Sequence, residues 1–147
     1  MGVYDSMNIG ASAMSVHAKR LAISSMNMAN IDTPNYIRKI PMIASTQNAS
    51  FLSILDSMRT PMTPTGTLPY ATGGVAFTGI VEDPTLGEKI YKPGHPDADE
   101  NGYIRTSNVN PLVEMADATM SQRAYEASIA IVTISKAMAE KAVSIGQ

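Results

Sequence analysis

Apolar residues near the amino terminus recur in alternating steps of three and four, which is the spacing of one stripe along an α-helix. The members of this stripe, which include one serine, are Tyr4, Met7, Ala11, Met14, Ala18, Leu21, Ser25 and Met28. A second row, Ile9, Val16 and Ile23, repeats every seven residues on a neighbouring face. A single partner helix could not cover both rows, so the pattern predicts a helix with more than one packed face.

The end of this helix is marked by a proline. Thr33 precedes Pro34, and a residue before proline is pushed towards extended backbone. We therefore expect the helix to end between Asn30 and Asp32. Asn35 follows the proline and suits a turn with positive φ, because asparagine tolerates that region better than most residues.

A second long helix is predicted from Leu112 to about Ile145, an interval without proline or glycine. Asn110 and Pro111 form a suitable N-cap and first-turn pair. One apolar stripe of this helix contains Met120, Ala124, Ala127, Ile131, Ile134, Met138 and Ile145. A second row contains Ala118, Tyr125, Ile129, Val132 and Ala139. This surface is again wider than a two-helix hairpin can bury.

The middle of the chain has a different composition. All nine prolines and seven of the ten glycines lie from residue 34 to residue 111. The predicted fold is mainly α with a small β-rich insert, in which elongated antiparallel terminal helices form a coiled-coil-like assembly domain. We divide the chain into an assembly helix at 1–32, a Pro/Gly-rich insert at 33–110 and a second assembly helix at 111–147, packed on the first.

Short elements are predicted within the insert. Residues 47–50 suit a loop, residues 51–58 have the apolar spacing of one or two helical turns, and residues 60–74 suit a flexible loop. Residues 74–83 and 88–92 read as two strands, and the turn at 83–87 predicts that they form a hairpin. A further strand is expected at 102–105.

Composition excludes several classes of function. Lys and Arg total 11 against 13 Asp and Glu, so the chain has no net basic field for nucleic acid. The absence of cysteine excludes disulfides, thiolate metal sites and cysteine nucleophiles. No apolar run reaches the roughly 18 residues that direct insertion into a membrane requires. The first twelve residues lack the features of a secretory signal, so we expect a protein that either stays in the cytoplasm or is exported without a cleaved leader.

One acidic loop is a candidate calcium site, because alternating side-chain oxygens converge on the ion in such loops. Its matching residues are Asp97, Asp99, Asn101 and Gly102. The twelfth position is Asn108 where a bidentate glutamate is needed, and Pro96 argues against the preceding helix. The other interpretation, which we favour, is a solvated turn before a strand.

No catalytic, cofactor-binding or metal-binding residues are predicted elsewhere. His17 is interpreted as a surface or packing residue, because no second histidine lies nearby. Phosphate-loop and nucleophile-elbow motifs are absent from the sequence, which is therefore not expected to encode an enzyme or to need a cofactor.

A resemblance emerges at the end of the first helix. The segment from Ala29 to Arg38 resembles the A-N-x-x-T-P-G-Y motif of bacterial flagellar rod, hook and hook-associated proteins, with Asn35 in place of glycine. The matching residues are Ala29, Asn30, Thr33, Pro34, Asn35 and Tyr36. Segments 91–104, 107–115, 121–127 and 145–147 are similar to proximal-rod members of this family. Their motif residues are Gly102, Tyr103, Asn108, Asn110, Arg123 and Tyr125.

The resemblance implies a structural subunit of the flagellar basal body that assembles with copies of itself and other rod proteins into a helical, torque-transmitting tube. It also implies passage through the flagellar export apparatus to a periplasmic location without a cleaved signal peptide. We expect the subunit interface to contain Met7, Ala11, Met14, Ala18, Leu21, Met28, Met120, Ala124, Ala127, Ile131, Ile134 and Met138. The alternatives are another rod or hook subunit, or a calcium-binding helical adaptor; a hydrolase is a remote third option.

Overall fold

The computed structural model describes residues 3–46 and 73–145. Helix α1 spans Val3–Ala29, and strands β1 to β4 span Lys39–Ser45, Val75–Glu82, Lys89–Tyr91 and Tyr103–Arg105. Helix α2 spans Pro111–Ile145. The predicted mainly helical fold with a small β insert is confirmed. The predictions for 47–50 and 51–58 lie outside the described residues, as does nearly all of the loop predicted at 60–74.

The two helices run antiparallel and pack against each other. Near one end of the pair, the Asn27 side chain of α1 is hydrogen-bonded to Glu114 of α2. Near the other end, Gly10 approaches α2 so closely that an added Cβ would lie 2.6 Å from Val132 Cγ2. Glycine is therefore required at residue 10 for this approach unless the valine moves.

Both predicted helix boundaries that adjoin the insert are confirmed to within about a turn. The first helix ends at Ala29, and turns follow it. Asn35 has φ of 58°, as expected for the residue after Pro34. At the start of α2, Asn110 Oδ1 accepts hydrogen bonds from the backbone amides of Leu112 at 3.0 Å and Val113 at 3.4 Å. This is the predicted N-cap, which satisfies amides that have no partner within the helix.

The predicted hairpin of residues 74–83 with 88–92 is wrong, although both segments are strands. β2 pairs with β1 in one antiparallel two-stranded sheet, and β3 pairs with β4 in another. The strand that was missed is β1, which contains Pro41. A two-stranded sheet consists only of edges, where a proline can leave the ladder unbroken. The register shift between Met42 and Ile43 leaves Thr78 as an extra residue on β2.

The apolar core is thin. Among the described residues, the buried apolar side chains are Val16, Ile23, Ile104 and Val109. Val16 and Ile23 belong to the predicted second row of α1, a helix that contacts α2 and also strands β1 and β2. On this side of α1, Lys19 Nζ lies 4.8 Å from the centre of the Phe77 ring.

Candidate functional site

The outward surface of α2 carries large apolar side chains. Met120, Ile131, Ile134 and Met138 are 57, 51, 60 and 61% exposed. We call these four residues the outer stripe of α2. Exposed apolar residues are common singly, but a continuous row along one helix indicates a surface for a partner.

The face of α2 that packs against α1 is polar and small. Its buried side chains are Glu114, Ser121, Ser128 and Ser135, which recur every seven residues. We call the three serines the serine row. The half-buried Ala118, Tyr125, Val132 and Ala139 flank it. These belong to the predicted second row, so that row faces inwards and the more apolar stripe faces outwards; Ile129, which was assigned to the same row, is 40% exposed.

The outward surface of α1 is lined by small residues. Ala11, Ser15, Ala18, Ala22, Ser25 and Ala29 are all exposed and follow one another in steps of four and three. We call them the small face of α1. The other expected interface residues of this helix, Met7, Met14, Leu21 and Met28, are half-buried. On α2, Ala124 is half-buried and Ala127 is exposed. The expected interface residues therefore include both outward and partly covered positions.

A cluster of polar side chains joins the base of the insert to both helices. Its members are Asn27, Tyr36, Arg38, Asp83, Glu114 and Asp117, and we call it the polar cluster. Asn27, 1% exposed, uses all four of its hydrogen-bonding positions. Its Nδ2 donates to Lys39 O at 2.8 Å and to Glu114 Oε2 at 3.1 Å. Its Oδ1 accepts from Tyr36 Oη and from Lys39 N, both at 3.0 Å. Asn27 thus ties α1, the turn, β1 and α2 together.

Arg38 occupies the centre of the charges in this cluster. Its Nε donates to Glu114 Oε1 at 2.6 Å, and its Nη2 lies 3.4 Å from Asp117 Oδ2. Nη1 lies 3.8 Å from Asp83 Oδ2, at the end of β2. The hydrogen bond to Glu114 raises the pKa of the Arg38 guanidinium. A planar guanidinium can bind several carboxylates at once, which a lysine ammonium does less well.

Hydrogen bonds extend from the cluster to the segment before α2. Arg38 N donates to Asn108 Oδ1 at 2.6 Å, and Asn108 Nδ2 donates to Thr85 O at 2.7 Å. Thr85 in turn donates to Asp83 Oδ1 from its hydroxyl at 2.6 Å and from its amide at 2.9 Å, and these bonds lower the pKa of Asp83. Burial raises the pKa of the Tyr36 hydroxyl, and the negative charge of Glu114 adds to this effect.

The remaining motif residues have structural positions. Asn30 Nδ2 donates to Met26 O at 2.8 Å, and Thr33 Oγ1 donates to Asn30 Oδ1 at 3.2 Å. Pro34 is half-buried within the turn that follows. The backbone amide of Asn35 donates to Arg105 O at 3.0 Å, which connects the turn to β4. The exposed Arg123 lies outside the cluster.

The acidic loop folds on itself. Asp99 Oδ1 accepts from the amides of Asn101 at 3.0 Å and Tyr103 at 2.8 Å, while the Asp97 amide donates to His95 Nδ1 at 3.2 Å. Gly102 has φ of 77°, and the Tyr103 ring meets Tyr91 edge to face at 5.2 Å. Within residues 3–46 and 73–145, no three Asp, Glu or His side chains are grouped so that they could hold a metal ion. The loop thus has the hydrogen bonds of the solvated turn that we favoured.

The half-buried His17 and the buried Ser121 each carry a buried polar atom, and the sequence did not mark either residue as a site. His17 Nδ1 and Ser121 Oγ have no hydrogen-bond partner. Burial lowers the pKa of His17, and the nearby charge of Arg20 lowers it further.

Sequence reasoning missed the polar cluster as a unit. Arg38, Tyr36 and Glu114 fell within the matched segments, but Asn27 and Asp117 did not. A polar residue at Asn27, just where the helix is about to end, was the available signal, because a buried polar side chain requires partners.

No helix in the described ranges is long and apolar enough to cross a membrane.

Two family models match the two ends of the chain. A model described as "Flagella basal body rod protein" matches residues 7–36, and one described as "Flagellar basal body rod FlgEFG protein C-terminal" matches residues 100–145. The matched ranges include most of α1, the Asn35 turn and α2. They define the class as flagellar basal-body rod proteins.

Curated relatives define the family within that class. The flagellar basal-body rod protein FlgC of Bacillus subtilis is 36% identical, and that of Buchnera aphidicola subsp. Acyrthosiphon pisum is 32% identical. FlgC of Salmonella typhimurium is 27% identical, and in all three cases the similarity covers 100% of both chains. The chain belongs to the FlgC family and is a structural subunit of the flagellar basal-body rod.

Proposed function

We propose that the chain is a subunit of the proximal rod that packs against copies of itself and other rod proteins through the outward surfaces of α1 and α2. The resulting coiled-coil-like helical tube transmits torque. The observation that carries the proposal is the outer stripe of α2, where four large apolar side chains each expose more than half of their surface.

The two outward surfaces differ in a way that favours contact between unlike faces. The outer stripe of α2 presents large side chains, whereas the small face of α1 presents only alanine and serine. Large side chains inserted between small ones allow helices to approach closely. Contact between two different surfaces of neighbouring subunits is head to tail, and it generates a helical filament when the rotation from one subunit to the next does not close a ring.

The free energy that one subunit contact can contribute indicates how many contacts assembly requires. Complete burial of an exposed apolar side chain contributes about 1.5–3 kcal/mol. Since the four residues of the outer stripe are already nearly half covered, completing their burial contributes about 4 kcal/mol together. Association costs about 4–15 kcal/mol in lost freedom. One contact cannot hold a dimer, so we expect assembly only when each subunit meets several neighbours.

Ile134→Asp tests the outer stripe. This residue is 60% exposed, so the substitution should leave the helix content of the isolated subunit unchanged while it places a charge in the interface. We expect loss of rod assembly and of swimming motility. Thr133→Asp is the matched control, because Thr133 is also exposed but lies on a different side of α2. Normal swimming of the Ile134→Asp strain, or equal loss in the control, would contradict the proposal.

The same proposal includes export through the flagellar apparatus and a periplasmic location in the basal body. The thin core of the described residues supports it, because few buried apolar side chains must be exposed when the chain unfolds for passage. A strain without a functional flagellar export apparatus should retain the protein in the cytoplasm. Its appearance in the periplasm of that strain would point to another export route.

A further inference from the structure

Methionine is the side chain of this protein that an oxidant modifies most readily. The sequence has 11 methionines but no cysteine and no tryptophan, so it lacks the two side chains that compete most strongly for mild oxidants. Oxidation converts the flexible, apolar thioether into a polar sulfoxide, and methionine sulfoxide reductases reverse the change. Exposure to solvent therefore decides which positions of the free subunit are modified first.

The methionines of the described residues fall into an exposed and a half-buried group. Met42, Met115, Met120 and Met138 are 48, 55, 57 and 61% exposed. The half-buried members are Met7, Met14, Met26 and Met28. Three of the four exposed methionines lie on α2 and differ little in exposure, so an oxidant in solution should attack these three at similar rates.

Two of the three exposed methionines of α2 belong to the outer stripe. Met120 and Met138 are eighteen residues apart, which is five turns at 3.6 residues per turn, so they lie on the same side of the helix. Met115 is five residues before Met120 and therefore lies about 140° away around the helix axis. One helix thus presents similarly exposed thioethers inside and outside the surface that we assign to subunit contact.

A sulfoxide in the outer stripe is unsuited to that contact. Its oxygen is a strong hydrogen-bond acceptor, which water satisfies in the free subunit. Burial against a neighbour removes this water, and a buried polar group without a partner is destabilising. Four of the six residues in the small face of α1 are alanines, whose side chains have no hydrogen-bond donor. Oxidation therefore weakens the contact that the thioether favours.

We propose that Met120 and Met138 are oxidative modification sites whose sulfoxides exclude a free subunit from the rod. This inference rests on the proposed function, because it requires the outer stripe to be a subunit contact. Neighbouring subunits cover both positions in an assembled rod, so the modification acts before assembly.

A peroxide is sufficient as the oxidant. A lone pair of the methionine sulfur attacks one oxygen of hydrogen peroxide, and the O–O bond breaks. The sulfur keeps this oxygen and loses two electrons. The other oxygen leaves as hydroxide, takes the proton from the first and becomes water.

Peptide mass spectrometry of the purified full-length chain, after brief treatment with hydrogen peroxide, measures the sulfoxide at each methionine. Met115, Met120 and Met138 should gain oxygen at similar rates, and faster than the half-buried Met14. The same treatment of intact basal bodies should leave Met120 and Met138 mostly unmodified.

Glutamine imitates the sulfoxide in cells, because its side chain has a similar length and a polar oxygen near its end. Met120→Gln combined with Met138→Gln should lower the amount of the chain recovered in isolated basal bodies about tenfold, the effect of one buried polar group without a partner. The helix content of the purified variant should not change. Leucine at both positions should recover most of the loss, and Met115→Gln is the matched control that should cause none.

Two results would overturn the inference and leave the proposed function intact. One is oxidation of Met120 and Met138 in the free chain no faster than that of Met14. The other is recovery of the double glutamine variant in basal bodies at the level of Met115→Gln, while Ile134→Asp prevents assembly. Normal assembly of Ile134→Asp, or rapid oxidation of both methionines in intact basal bodies, would contradict the proposed function and this inference with it.

Discussion

Replacing Glu114 tests whether the polar cluster holds the insert to the helix pair. This carboxylate is 1% exposed and accepts hydrogen bonds from Arg38 Nε at 2.6 Å and Asn27 Nδ2 at 3.1 Å. Alanine removes both acceptors from a site that water does not reach. Glutamine keeps the shape and one acceptor oxygen but removes the charge.

The expected loss of stability depends on the interactions that Arg38 keeps when Glu114 is replaced. Removing one member of a fully buried ion pair costs about 3–5 kcal/mol. Arg38 is 21% exposed and keeps Asp117 at 3.4 Å and Asp83 at 3.8 Å. Glu114→Ala should therefore lower the free energy of unfolding by about 2–3 kcal/mol, the buried-pair value reduced for solvent and for these remaining partners. Glu114→Gln should lower it by about 1 kcal/mol, close to one ordinary hydrogen bond.

Urea unfolding monitored by circular dichroism gives the free energy of unfolding of both variants. The slope of this free energy against urea concentration should be the same for each variant. Glu126→Ala is the matched control, because Glu126 is exposed on the same helix and accepts a hydrogen bond from the Gln122 side chain at 3.1 Å. It should change the free energy of unfolding by less than about 0.5 kcal/mol. If Glu114→Ala were no more destabilising than this control, the polar cluster would not contribute as described.

Two further predictions concern Asn35 and His17. Asn35 has φ of 58°, so Asn35→Gly should be nearly neutral while Asn35→Val should lower the free energy of unfolding by about 1–2 kcal/mol; equal urea midpoints for both variants would contradict this. The pKa of His17 is lowered from 6.5 on folding, so stability should be complete above that pH and decrease as the pH falls below it. His17→Asn should flatten the decrease in stability below about pH 6.5, and an unchanged slope would assign it to another group.

The ends of the helices were predictable because local chemistry determines them. Pro34 prevents a continued α1, and Asn110 with Pro111 starts α2, in each case through neighbouring residues alone. The positive φ of Asn35 belongs to the same kind of local inference. Such features depend on a few consecutive residues and need no knowledge of the fold.

The pairing of the strands was not predictable in the same way. Residues 83–88 connect β2 to β3 without pairing them, because β3 pairs with β4 and β2 pairs with β1. Residues 46–74 separate β1 from β2 in sequence. Turn residues indicate where a chain can reverse, whereas pairing over such a distance depends on the position of both strands against α1. Pro41 also weakened the strand pattern of β1.

The polar cluster shows a third limit of sequence reasoning. Its members come from α1, the turn, the end of β2 and the start of α2. Each of these residues could have been a solvated surface residue if considered alone. Only the fold brings Arg38 between three carboxylates and places Glu114 out of contact with water.

The apolar rows of α2 are not oriented as the sequence pattern alone would suggest. The sequence showed two rows on this helix, and the ordinary rule would place the more apolar one against α1. In the structure the serine row faces α1, and the outer stripe remains exposed. Small side chains allow a close approach at Gly10, so the pair can form without the large side chains. Under our proposal, neighbouring subunits bury the methionine and isoleucine residues of the outer stripe, and the sequence places small side chains within the pair and large ones on its outer surface.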